Sequence, residues 1–204
     1  VDYTRPIEAI VPGVQGRVLA VLCRNHSEMT IRTVARLAGV SAQQCSVVVA
    51  ELVRLGLVSR REAGPSSLVA LDRGNEAARM VAELGDLMSR VVARLTEAAE
   101  RISPPPASVT MFGSFARGEA HAESDVDVLA VRARGVEPDD GGWVDSLGEW
   151  AERARHVTGN VVNMVVLGED EVPSLLRRRS GPWRTIGEDG VVLAGRALAE
   201  IVAA

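Results

Sequence analysis

The chain has 204 residues, 47% hydrophobic and 25% charged, enough for one or two domains of roughly 100–200 residues, each with its own core. All 23 basic residues are arginine, so a phosphate-binding or catalytic lysine is excluded and guanidinium groups do all the cationic work. A net charge of −4 excludes a polycation, and no apolar run approaches the ~18 residues needed to cross a bilayer.

Val1–Ile10 carries no secretory pattern. An apolar stripe of Val14, Val18, Leu19, Val21 and Leu22 predicts a first helix over Val14–Cys23. Thr30 caps a short second helix, Ile31–Ala38, which Gly39 stops. After the turn at Val40, Ser41 caps a third helix, Ala42–Leu55, closed by Gly56. Cys23 and Cys45 lie among apolar neighbours with no metal-ligand spacing, so buried free thiols in a reducing cytoplasm are expected. Leu57–Arg61 and Ser67–Leu71 read as two strands of a hairpin around Ala63-Gly64-Pro65-Ser66.

Helix, helix, tight turn, helix, hairpin is the order of a winged helix-turn-helix. Residues 14–73 resemble that family, most specifically in Ala35-x-x-x-Gly39-Val40-Ser41 and in the ending Leu52-x-x-Leu55-Gly56-Leu57-Val58. The resemblance implies a DNA-binding domain over residues 1–75. Its third helix would enter the major groove with Ser41, Gln43, Gln44 and Ser46 towards bases or phosphates, while Arg60 and Arg61 meet the backbone. Residues 1–76 hold nine arginines against seven acids and the remainder fourteen against twenty, so a slightly basic part precedes an acidic one.

From Glu76 to Ile102, Met80, Leu84, Leu87, Val91, Leu95, Ala98 and Ile102 alternate at spacings of four and three, a narrow seam suited to a partner helix. This predicts a long connecting helix over residues 76–103, about 40 Å if unbroken, and a homodimer formed through it; Gly85 is its weak point. Ser103-Pro104-Pro105-Pro106 ends it and marks the start of a domain over residues 104–204. There the pattern alternates: strand Val109–Phe112, a short helix over Ser114–Gly118, strand Val126–Arg132, helix Trp143–His156, strand Asn160–Leu167, helix Glu171–Arg179, and a short strand Gly190–Leu193. The fold class is therefore α+β: an N-terminal winged helix-turn-helix, a long linker helix, and a C-terminal α/β domain with a mixed sheet.

The chemistry concentrates between Met111 and Val131. Gly113 lets the backbone approach a phosphate, Ser114 opens a helix where free amides favour an anion, and Arg117 follows one turn later with a guanidinium fork. Asp125 and Asp127, two apart on a strand, project from one face while Val126 and Val128 enter the core. Paired carboxylates in an apolar strand repel each other, and Mg²⁺ held by them and by substrate phosphates relieves this.

Gly113-Ser114, ten residues, then Asp125-Val126-Asp127 resembles the minimal nucleotidyltransferases of the DNA polymerase β superfamily. Ala116-Arg117-Gly118, Ser124-Asp125 and the closing Asp189-Gly190-x-Val192-Leu193-x-Gly195 match as well, over about residues 108–196. The resemblance implies a Mg²⁺-dependent enzyme that takes a nucleotide from a nucleoside triphosphate such as ATP, with Asp125 and Asp127 as catalytic metal ligands and Gly113, Ser114 and Arg117 on the phosphates. Its likeness to antitoxin-type members implies a protein hydroxyl as acceptor; a small-molecule hydroxyl is the other class.

One position departs from the pattern. Active members place a third acid on the next strand, where this chain has Asn163; an amide ligates a cation weakly and takes no proton at neutral pH. Either the acceptor needs little activation, or another acid serves (Asp145, Glu149 and Glu152 are nearest in sequence), or the chain is a transcriptional regulator that binds nucleotide without turnover. His26, His121 and His156 form no metal spacing, Arg177-Arg178-Arg179 reads as a charged helix end, and Trp143, Trp150 and Trp183 read as core or domain-contact residues.

Overall fold

In the computed structural model, which describes residues 1–64, 66–176 and 182–203, the helical periodicities emerge close to where the sequence places them. A short helix α1 (Pro6–Ile10), which the sequence pattern misses, precedes α2 (Gly13–Arg24). A two-residue strand β1 (Met29–Thr30) leads into α3 (Ile31–Ala38). The Thr33 amide donates to Thr30 Oγ1 at 3.2 Å, and Gly39 ends α3 in the left-handed region. α4 (Ala42–Arg54) begins at Ser41; strands β2 (Val58–Ala63) and β3 (Ser66–Leu71) follow, with β3 between β1 and β2 in an antiparallel sheet. Helix α5 (Glu76–Gly85) completes this unit, which comprises Asp2 and Thr4–Leu87.

Its core gathers Val18, Leu19 and Leu22 of α2, Val34 of α3, Val49 and Leu52 of α4, and Val69 of β3. Cys23 and Cys45 are free and buried, and burial pushes the Cys23 thiol up to about 11. Leu52 is fully enclosed. Leu52→Ala should therefore destabilise this unit by about 2–5 kcal/mol, the usual cost of a core leucine truncation. All three tryptophans (143, 150 and 183) lie in the other unit. Urea melts should thus show an earlier circular-dichroism transition with an unmoved tryptophan-fluorescence transition. An unchanged circular-dichroism curve would contradict this placement of Leu52.

The single long helix expected over residues 76–102 is two. The chain breaks at Asp86, whose amide donates back to Glu83 and Leu84 carbonyls, and restarts as α6 (Leu87–Ala99). The physical reason is that each half packs into a different unit. Ala78 joins the N-terminal core, with Leu84 packed against it. Val91, Leu95, Ala98 and Ile102 are buried within the second unit, Val1, Tyr3 and Met88 onward. Of the seam expected to meet a partner helix, Val91, Leu95, Ala98 and Ile102 are buried within the chain, Leu84 and Leu87 are half-buried and Met80 is exposed.

The second unit continues with β4 (Ser108–Phe112), a one-turn helix α7 (Gly113–Ala116), β5 (Val126–Arg132), α8 (Gly141–Thr158) and β6 (Val162–Gly168). After these come α9 (Val172–Leu176), α10 (Pro182–Asp189), β7 (Val191–Gly195) and α11 (Leu198–Ala203); α10 and α11 were not foreseen. The arginine run Arg177–Arg179 lies outside the described residues. The sheet has the order β6-β5-β4-β7, with β5–β6 parallel and the other pairs antiparallel, so it is mixed as expected.

Antiparallel partners share a face, which sorts the side chains. Phe112, Asp127 and Leu129 lie on one face, where Phe112 and Leu129 pack with Val172, Ile186, Leu198 and Ile201 of the last three helices. Val109, Met111, Val126, Val128 and Ala130 are buried on the other. Helices α6 and α8 are tied by Trp150 Nε1 donating to the Leu95 carbonyl at 3.1 Å. Trp143 and Trp150 are core residues, as predicted.

Candidate active site

The site forms where β4 ends and β5 and β6 begin. Phe112 pairs with Asp127 across the antiparallel ladder, and Asp127 pairs with Asn163 across the parallel one. This register alone sets the Gly113-Ser114 turn, the two acids and Asn163 side by side. Gly113 has φ +73°, and a Cβ built there would stand 2.6 Å from Asp127 Oδ2. The carboxylate thus lies directly against the Gly113 backbone; the dihedral favours glycine, and an added Cβ would push the carboxylate aside.

Burial raises the Asp127 carboxyl above the ordinary carboxylate range, the Asp125 charge adds to this, and the Asn163 amide partly offsets it. Asn163 Nδ2 donates to Asp125 Oδ2 at 2.9 Å, so the residue in the third acid's place bridges towards the pair rather than standing apart. Two carboxylates held together with one partly desolvated form a hard-oxygen site short of positive charge, which fits a divalent cation completed by substrate oxygens. Among the described residues no cluster of three or more His, Cys, Asp or Glu side chains gathers as a metal cage.

Ser114 is half-buried at the first turn of α7. Arg117 is exposed; its Nε donates to Glu119 at 2.8 Å and its Nη1 lies 3.9 Å from Asp189 at the end of α10. A phosphate drawn to Arg117 therefore competes with two acids that the sequence reading did not connect to it. Among the described residues no helix acid gathers with Asp125 and Asp127 as a third carboxylate; Asp145 and Glu149 are exposed, and Glu152 pairs with Arg155 at 2.7 Å. His121 is an exposed loop residue whose Nδ1 accepts from the Glu123 amide at 3.3 Å.

Asn160 is the site residue that sequence reasoning missed. It is buried, and its Nδ2 donates to the carbonyls of His121, Ala122 and Ser124 at 3.0, 3.3 and 2.5 Å, fixing the loop that delivers Asp125. Its only local signal is an asparagine following Gly159, which caps α8 in the left-handed region, and that pattern is also ordinary turn chemistry. A cavity of about 610 Å³ lined by Thr110, Trp183, Ile186, Glu188, Val192 and Leu198 lies elsewhere in this unit; neither acid is in its wall.

Residues 11–66 match the profile of the MarR family, and residues 92–157 match that of the nucleotidyltransferase domain. The second match spans Gly113, Ser114, Asp125 and Asp127 and stops before Asn163. The chain joins a MarR-family winged helix to a nucleotidyltransferase domain. No curated protein matches it. Among solved structures it is similar to a toxin–antitoxin with AMP-PNP (16% identity, 54% of this chain and 81% of that one, TM-score 0.36). It is also similar to MarR-family transcriptional regulators from Silicibacter pomeroyi DSS-3 (29%, 48% and 73%, 0.33) and Rhodococcus sp. RHA1 (23%, 50% and 71%, 0.33).

In the MarR-family unit, two of the four expected base readers are otherwise engaged. Ser41 and Gln44 form a capping box: the Gln44 amide donates to Ser41 Oγ at 3.1 Å, and the Ser41 amide donates to Gln44 Oε1 at 3.1 Å. Gln43 and Ser46 remain on the exposed face of α4, together with Val47, which the sequence reading passed over. Arg60 pairs with Glu62 at 3.2 Å and Arg61 with Glu28 at 2.5 Å, so both guanidiniums expected to meet the DNA backbone are paired with exposed acids.

Proposed function

We propose that the nucleotidyltransferase domain transfers a nucleotide from a Mg²⁺-bound nucleoside triphosphate to a hydroxyl acceptor, and that the winged helix reads duplex DNA. The observation that carries the first part is the contact of the Asp127 carboxylate with the Gly113 backbone, which puts acids and phosphate turn in one site. Asp125 and Asp127 would hold the metal, which supplies charge neutralisation at the α-phosphorus and at the leaving oxygen. Gly113 and Ser114 receive the phosphate chain through backbone amides and the Ser114 hydroxyl, and Arg117 turns from Glu119 and Asp189 to the phosphates. The acceptor oxygen bonds to the α-phosphorus as the bond to the bridging oxygen breaks and pyrophosphate leaves. Asn163 takes no proton, so the acceptor's proton passes to water or to the carboxylate pair. ATP is the proposed donor, and a protein hydroxyl the proposed acceptor ahead of a small-molecule hydroxyl.

Asn163 also favours a second reading, a regulator that binds nucleotide without turnover. Calorimetry with Mg²⁺ and ATP, run beside a pyrophosphate-release assay with candidate acceptors, separates the two. Binding and release together support the enzyme; binding without release supports the sensor; neither refutes both. Asn163→Asp should tighten divalent-metal binding about tenfold, since a third carboxylate joins a pair already set against it. Metal titration by calorimetry checks this, and unchanged affinity would remove Asn163 from the metal site.

A further inference from the structure

We infer that α4 reads an adenine–thymine step in duplex DNA, with Gln43 on the adenine and the Val47 methyl groups on the thymine C5-methyl. This rests on the DNA-binding reading of the winged helix and narrows it to base identity. Val47 is 67% exposed, the most exposed large apolar side chain among the described residues. It is no frayed end, for it sits in mid-helix between buried Cys45 and Val49. Positions 43, 46, 47 and 50 share one helix face, and Gln43, Ser46, Val47 and Ala50 are all exposed.

No charged residue lies between Ser41 and Ala50. A face built only for solvation would carry charge; this one offers an amide, a hydroxyl and two apolar groups. In the major groove an amide pairs bidentately with adenine N6 and N7, and an apolar group packs on the thymine methyl. Charge stands beside the face rather than on it. Arg17 Nη1 donates to the Gly39 carbonyl at the turn before α4, at 3.3 Å, and Arg36 is exposed on α3, positions suited to phosphate. Four residues of helix rise about 6 Å against about 3.4 Å per base pair, so the two contacts fall one or two pairs apart. A protein partner is the weaker occupant: Val14 and Val48 border Val47 in a cavity of about 310 Å³, but both are half-buried against the unit's own core, so the exposed apolar part is Val47 and Ala50, smaller than the contiguous patches that dock proteins.

The test uses the full chain and duplexes enriched from a random pool at fixed salt, with thymine replaced by uracil one position at a time, which removes only the C5-methyl. At one thymine, uracil should weaken binding about fourfold, the worth of one buried methyl-sized group. Val47→Ala should cause a similar loss and abolish the thymine–uracil difference there, while Val47→Thr, which keeps one methyl, should retain part of it. Gln43→Ala should relax the adenine preference one or two pairs away. Enriched duplexes that Val47→Ala binds with the same thymine–uracil difference as the parent chain, or that lack a fixed A·T pair, would overturn the inference and leave DNA binding standing. Failure to enrich any duplex would overturn both.

Discussion

Asp127→Asn is expected to lower nucleotide transfer about a hundredfold or more and, in the absence of metal, to stabilise the folded chain at neutral pH. The first effect follows from removing a full charge from the point where the metal and the α-phosphate would meet, a loss comparable with deleting a preorganised catalytic donor. The second follows from the cost of keeping Asp127 charged. Burial and then the neighbouring Asp125 charge raise its carboxyl above the unfolded value, with Asn163 offsetting only part. A raised carboxyl binds its proton more tightly in the folded state, so the ionised group is a burden above its folded value. That burden lifts as pH falls from the folded value towards the ordinary carboxylate value. Mild acidification should therefore relieve Asp127 in the parent chain and do nothing at this position in the asparagine variant. Proton and metal also compete for the same oxygens, so Mg²⁺ affinity should fall over the same pH interval. Thermal melts of both chains, without metal, at neutral and mildly acidic pH check the argument. A less stable asparagine variant at neutral pH would show that Asp127 is not under electrostatic strain.

What the sequence shows of this molecule is what short-range chemistry decides. Thr30, Gly39 and Ser41 mark helix ends through hydrogen bonds to residues at most five positions away, and the structure reproduces them. The β5 strand has the bounds its valines announce, and the spacing between Gly113-Ser114 and Asp125-Val126-Asp127 suits a turn and the strand that pairs back upon it. The break at Asp86 follows Gly85, which the sequence marks as the weak point, but that the helix breaks at all was not legible, because residues 76–102 satisfy one seam equally well as a continuous helix. Only the existence of two cores divides them, and that is a long-range fact. The capping box is different. Ser41-x-x-Gln44 is its ordinary signature, so the two side chains expected at the DNA also have a local partner three residues away. Asn160 and Asp189 act on the site through contacts distant in sequence, which no local pattern records, whereas Glu119 is a local partner two residues from Arg117.

Gly113→Ala is expected to reduce transfer by at least about tenfold, a part of the roughly hundredfold loss that a full ångström of misplacement costs. Two costs act there. The alanine must hold φ near +73°, and its Cβ would stand 2.6 Å from Asp127 Oδ2. The carboxylate has to move by several tenths of an ångström, away from the turn it is proposed to serve. Gly118 separates the two costs: it has φ +70° with nothing within 4 Å of an added Cβ, so Gly118→Ala carries the backbone strain alone, about 1 kcal/mol. Steady-state rates for the two variants, with folding checked by thermal melts, then decide which cost matters. If transfer depends on Asp127 lying against the phosphate turn, Gly113→Ala loses most of its rate and Gly118→Ala keeps nearly all of it. Equal losses would assign the effect to loop strain, and an active Gly113→Ala chain would mean that the acid need not stand where the structure holds it.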